Sequence, residues 1–156
     1  MDRATYIPTT FEHLAHVAMF MREADRVEVR ASHGHSPVEA LLRGVEVSDM
    51  VETMVDENGT PFAILGVAPR CRLTGNGAPW LLGTDDVVKN RRAMVQDAGP
   101  VLDRMMNLYP SLENYVHCDN RISVRWLKSI GFKFDEPVVI PYSGEKFMRF
   151  HMKKEH

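Results

Sequence analysis

Two extended apolar runs, Met50 to Val55 and Pro61 to Ala68, are separated by Asp56-Glu57-Asn58-Gly59-Thr60. No other feature narrows the fold so far. Asn-Gly is the favoured centre of a tight hairpin because both central residues of that turn need positive φ. The pattern predicts an antiparallel strand pair mid-chain, with helical periodicity on either side of it. Thr9-Thr10 caps a predicted helix from about Phe11 to Arg30, with Phe11, Leu14, Val17, Ala18, Met21 and Ala24 on one face. Ser36-Pro37 opens a second helix striped by Val38, Leu41, Leu42 and Val45.

Beyond the hairpin, residues 69–79 hold Pro69, Gly75, Gly77 and Pro79 and read as a loop, and Trp80 to Gly83 as a short buried strand. A helical pattern over 86–109 is expected to break at Gly99-Pro100. Tyr115 to His117 reads as a strand, Arg121 to Ile130 as a helix closed by Gly131, and 138–152 as a closing hairpin turned at Ser143-Gly144. With an initial strand near Ala4 to Ile7, the expected order is β-α-α-β-β-β-α-β-α-β-β. That order implies an α/β fold, a mixed sheet with helices on both faces, formed as one domain over residues 1–156.

At 44% apolar residues, the chain has enough material for a core without disulfides or metal. A net charge of −2 gives no global attraction to nucleic acid or anionic membrane. No apolar run reaches the roughly 20 residues of a membrane span, and no signal-peptide pattern opens the sequence. Cys71 and Cys118 read as free thiols in a reducing, cytoplasmic compartment. His13, His16, His33 and His35 do not form a ligand set with closed-site spacing, so no metal is expected.

Asn120-Arg-Ile-Ser123-Val-Arg-Trp126-Leu127-Lys-Ser-Ile130-Gly131-Phe132 resembles the strand–helix signature of the GNAT superfamily of acyl-CoA-dependent N-acetyltransferases. There, an asparagine starts the helix, a small residue follows three positions later, and Gly-Phe ends it. The chain also resembles small proteins of short-tailed bacteriophages, described as internal virion proteins with a GNAT-like fold. Three phrases carry that likeness: Met21 to Glu28, Pro79 to Asp85, and Asn114 to His117 running into Arg125-Trp126-Leu127. The resemblance implies acetyl-CoA as co-substrate and an amine as acceptor. Its alternative is a non-enzymatic virion, assembly or host-interaction protein on a degenerate scaffold, in the host cytoplasm or the virion.

Two features depart from the superfamily pattern. The glycine-rich loop that cradles the CoA pyrophosphate is missing, since no glycine stands between Gly83 and Gly99. Arg91 and Arg92, with Lys89, are candidate replacements as phosphate contacts, or else a solvated basic face. Leu127 stands where many of these enzymes place a proton-donating tyrosine. Trp80, Leu81 and Leu82 would be the strand along which the pantetheine arm runs, or an ordinary core strand. Asn120 would touch the pantetheine, or simply cap its helix.

Asp25 and Glu28 fall on the apolar stripe of the first helix, where carboxylates are costly unless paired or lining a cleft. They are the candidate catalytic residues, binding an acceptor amine or serving as general base. The competing reading pairs them with Arg22, Arg26 or another arginine. His117 and Cys118, as extended neighbours, point to opposite faces and make a poor catalytic pair.

Overall fold

The computed structural model describes residues 4–155. Its strands are β1 (Thr5–Pro8), β2 (Met50–Val55), β3 (Pro61–Cys71), β4 (Asn76–Gly83), β5 (Ser111–His117), β6 (Lys133–Phe134), β7 (Val138–Val139) and β8 (Lys146–Lys153). Its helices are α1 (Phe11–Met19), α2 (Glu23–His33), α3 (Pro37–Val47), α4 (Arg91–Gln96), α5 (Ala98–Leu108) and α6 (Arg121–Ser129). The sheet runs β1-β2-β3-β4-β5-β8-β6, with β7 also on β8. Every pairing is antiparallel except β4 with β5.

The sheet separates two apolar clusters. Leu14, Val17 and Ala18 of α1 and Leu41 of α3 pack on Ile64 and Leu82 on one face. On the other, Leu102 and Met105 of α5 and Leu127 of α6 pack against Leu65, Val67 and Leu112. The period of two along β3 and β4 sends Ile64 and Leu82 one way and Leu65 and Leu81 the other.

The decisive irregularity lies between β4 and β5. Their parallel pairing holds only at Asn76 with Ser111 and Gly77 with Leu112, after which the strands diverge. Pro79 has no N–H to give, and Asn114 stands in for the missing ladder, its Nδ2 donating to the Pro79 carbonyl at 2.9 Å. The sheet is thereby wedged open at its centre.

Three expectations are corrected. The first helix is two helices: Met21 forms a β-bridge with Thr84, and the Arg22 N–H donates to the Gly83 carbonyl at 2.9 Å. Those bonds draw the backbone out of the helix. The loop expected over 69–79 shrinks, because β3 extends to Cys71 and β4 starts at Asn76. Gly77 pairs with Pro69 and Leu112, and only glycine fits there because the Tyr109 ring lies 2.7 Å from where a Cβ would stand. The break expected at Gly99-Pro100 falls instead at Asp97, and Pro100 sits in the first turn of α5, where no helical N–H bond is lost.

Candidate functional site

The open end of β4 meets α2 and α6 in a buried polar cluster. Arg22, directly after the chain leaves α1, has a side chain only 7% exposed. Its Nη1 donates to Asp25 Oδ1 at 2.9 Å and to Ser123 Oγ at 3.3 Å, and its Nη2 to Asn120 Oδ1 at 3.1 Å. The other Asp25 oxygen accepts the Gly83 N–H at 2.9 Å. Asn120 Nδ2 reaches Asp25 and Glu28, each at 3.4 Å. Asn120 occupies the N-cap position of α6, yet its side chain makes no cap bond. The capping role expected of it is replaced by these long-range contacts.

Glu28 Oε1 accepts the His117 backbone N–H at 2.7 Å. The His117 ring accepts the Asp119 N–H at Nδ1, 3.0 Å, which assigns the proton to Nε2; that nitrogen donates to Glu145 at 2.7 Å. His117 is thus committed to Glu145. Cys118 is a half-buried thiol whose pKa burial and then Asp119 push up, so little thiolate forms.

The two carboxylates fare differently. Burial pushes the Asp25 carboxyl up, and the touching Arg22 guanidinium, the Gly83 amide and Asn120 all pull it back. Glu28 is pushed up to about 8, first by burial and then by the Asp25 carboxylate, against weaker help from the His117 amide and Asn120. It has no contacting cation among the described residues. The net effect on Asp25 is still upward, to about 6, with the Arg22 guanidinium in direct contact. Glu28 is a carboxyl poised near neutrality, able to take up or give a proton.

Glu28 also lines a cavity of about 720 Å³ that runs through the gap between β4 and β5. Val29, Ala40 and Trp80 border it on the α1–α3 face, and Leu102, Trp126 and Leu127 on the other. With Oε1 occupied, Oε2 of Glu28 is the oxygen left for a ligand. Trp126 packs on the core yet carries the one buried side-chain N or O without a partner among the described residues, its Nε1.

Leu81 also lines the cavity. Antiparallel pairing with β3 turns the N–H and C=O of odd-numbered β4 residues toward β5. The Gly83 groups are held by Asp25 and Arg22 and the Pro79 carbonyl by Asn114, while those of Leu81 find no partner in the sheet. The Trp80 side chain is committed elsewhere: it lies against Gly44 and Gly66, and its Nε1 donates to Ser48 at 2.7 Å. Leu82 is buried in the α1–α3 cluster.

After Gly83, the chain forms a 3₁₀ turn rather than a cradle of free amides. The Asp86 N–H bonds the Thr84 hydroxyl, and those of Val87, Val88 and Asn90 bond carbonyls three or four residues back. Asp85 and Asp86 add negative charge. Arg91 and Arg92 are exposed at the start of α4 and form no ion pair among the described residues.

A sequence profile described as "Bacteriophage T7, probable scaffold protein Gp13" matches residues 53–138, more than half of the chain. The chain belongs to that family. In this Gp13-family protein the matched span runs from β2 to β7, taking in the wedge and Asn120 while leaving out Asp25 and Glu28. The chain matches no curated protein sequence.

Solved structures are similar over nearly the whole chain. A spermidine N-acetyltransferase from Vibrio cholerae in complex with CoA and spermine has a TM-score of 0.71 at 8% identity, covering 97% of this chain and 96% of its own. A GCN5-related N-acetyltransferase from Kribbella flavida gives 0.67 at 15%, covering 96% and 97%. The ribosomal-protein-S5-alanine acetyltransferase from Vibrio fischeri gives 0.67 at 14%, covering 98% and 94%. At such identities the likeness shows the fold, which is that of the GNAT N-acyltransferases.

Of the expected site residues, the structure brings Asp25, Glu28 and Asn120 into one cluster and sets Trp80, Leu81 and Leu82 along the same cavity. Arg91 and Arg92 stay on the surface at α4. Asn114, Arg43 and Arg70 also border the cavity, and only tertiary contacts, strand pairing for Asn114 and Arg70 and helix packing for Arg43, place them there.

Proposed function

We propose that this protein is an N-acyltransferase that moves an acyl group from a thioester of the CoA type to an amine. The observation that carries the reading is the cavity through the β4–β5 wedge, with Glu28 on its wall and the Leu81 backbone groups unpaired along it. A pantetheine-length arm fits there, because Leu81 offers one donor and one acceptor at the gap. The diphosphate end of CoA has no amide cradle, so Arg91 and Arg92 would hold it from the surface.

A bound thioester supplies an electrophilic carbonyl carbon. The amine nitrogen bonds to that carbon, Glu28 takes the proton it sheds, and the C–S bond breaks to release thiolate. Leu127 gives no proton, so the thiolate leaves as the anion or takes its proton from water. Positioning and deprotonation supply the rate, with no covalent enzyme intermediate.

A second reading has specific support: a non-enzymatic assembly protein of a phage, on a scaffold that has lost its cofactor site. The internally bonded amides of Asp86, Val87, Val88 and Asn90 and the family's scaffold description both favour it.

Calorimetric titration of the protein with acetyl-CoA and CoA separates the two, followed by a thiol-release assay over a panel of amines. Micromolar binding with amine-dependent thiol release that Glu28→Gln lowers by about 100-fold or more supports the transferase. No heat at millimolar cofactor leaves the assembly reading.

A further inference from the structure

The α2–α3 side of the cavity has an uneven charge. Glu28 is the one carboxylate among the described residues that line it, whereas Arg43, Arg70, His33 and His35 line it as well. These four come from the end of α2, the turn after it, α3, and the far end of β3. Gly34 makes the turn possible. It lies at φ 73, and any Cβ there would collide with the Tyr142 ring, so the loop before β8 closes down on this turn.

Three of these groups, His33, His35 and Arg70, are near neighbours. The His33 and His35 rings stack with centroids 5.5 Å apart, and the Arg70 guanidinium carbon lies 5.5 Å from the Tyr115 ring centre. Burial first, then His35 and Arg70, hold the His33 pKa below its usual range. The acids nearest the two arginines sit outside the cavity wall. Glu46 is 3.9 Å from Arg43, both well exposed, and Glu113 is 3.7 Å from Arg70 while also bound to Arg149 and Asn76.

We propose that the ligand taken on this side is an anionic amine, its amino group directed to Glu28 and its carboxylate or phosphoryl group held by Arg70 and Arg43. Arginine suits such planar or tetrahedral anions because its fork donates two parallel bonds. A polyamine, by contrast, would set its further ammonium groups against this rim. The inference rests on Glu28 as the amine-facing group, but it needs no acyl transfer.

The test is NMR of the His33 and His35 ring protons in the full chain without any acyl donor, titrated with glutamate, O-phosphoserine and spermidine. Glutamate or phosphoserine should give saturable shifts and raise the His33 titration midpoint, whereas spermidine should give none. Comparing the two anions identifies the group preferred. Arg70→Gln should weaken that binding by at least about 10-fold, a loss of roughly 1.4 kcal/mol. Arg43→Gln, at a more exposed position, should weaken it if Arg70→Gln impairs folding. Tighter binding of spermidine, or anion binding indifferent to both substitutions, overturns the proposal. Anion binding without acyl transfer to any amine would leave it standing and remove the transferase. Acyl transfer to spermidine without anion binding would do the reverse.

Discussion

Asp25 Oδ2 accepts the Gly83 backbone N–H at 2.9 Å, so a side chain from α2 occupies the amide that ends β4. Through its other oxygen, the same carboxylate fixes Arg22 and, with it, Asn120 and α6. One ion thus ties three elements together where the sheet is wedged open.

Asp25→Ala should therefore cost about 3–5 kcal/mol, because it leaves the Arg22 charge buried and unpaired. Urea unfolding would measure it. Arg22→Ala combined with Asp25→Ala should cost less than the sum of the two, as expected for groups in direct contact.

Glu28 gives a pH signature. Its folded pKa, about 8, lies above the ordinary 4.5, so the folded state binds the proton more tightly. The stability this contributes is complete below pH 4.5 and is lost as pH rises through about 8. Glu28→Gln, which stays neutral, should accordingly gain on the wild type as pH rises between those limits, with little difference below them. Thermal melts across pH 4 to 9 at matched ionic strength check this, and a constant difference at every pH would refute it. Under the proposed function, the activity of the parent should rise toward pH 8 over the range in which Glu28 ionises.

Trp80 fits between two glycines, and Gly66 is the less forgiving. A Cβ there meets the backbone oxygen of Met50 as well as the Trp80 ring at 2.9 Å. Gly66→Ala should cost about 1–3 kcal/mol through overpacking and shift the tryptophan emission. Gly59→Ala, where a Cβ meets nothing within 4 Å, faces only its φ of 78 and should cost less. Denaturant melts of the two variants make the comparison.

Arg91→Ala with Arg92→Ala should leave stability within about 0.5 kcal/mol, since both side chains are exposed. The same pair should weaken acetyl-CoA binding by at least about 10-fold if they stand in for the amide cradle. Calorimetry with the double variant reads both through one protein.

Much of the architecture was legible because its signals are local. Asn58-Gly59 marked the β2–β3 hairpin, Ser36-Pro37 marked the start of α3, and Asn120 to Gly131 bounded α6. Thr10 and Ser36 both form the capping boxes their helices need. The inward setting of Asp25 and Glu28 was also readable, as carboxylates on an apolar stripe.

The remaining features depend on partners distant in sequence. The break between α1 and α2 carries neither proline nor glycine, because it is made by bonds from Met21 and Arg22 to the end of β4. Asn120 carries the sequence signal of a cap, but a buried guanidinium 98 residues away takes its side-chain oxygen. Residue order alone placed the β2–β3 hairpin, the start of α3, the bounds of α6 and the inward faces of the helices, since capping, turn chemistry and periodicity act over a few residues. Only the tertiary structure decided that Asp25 meets a guanidinium while Glu28 meets amides alone, and that a cavity opens between β4 and β5. Those outcomes depend on which buried charge meets a counter-charge and on which backbone groups find no strand to pair with.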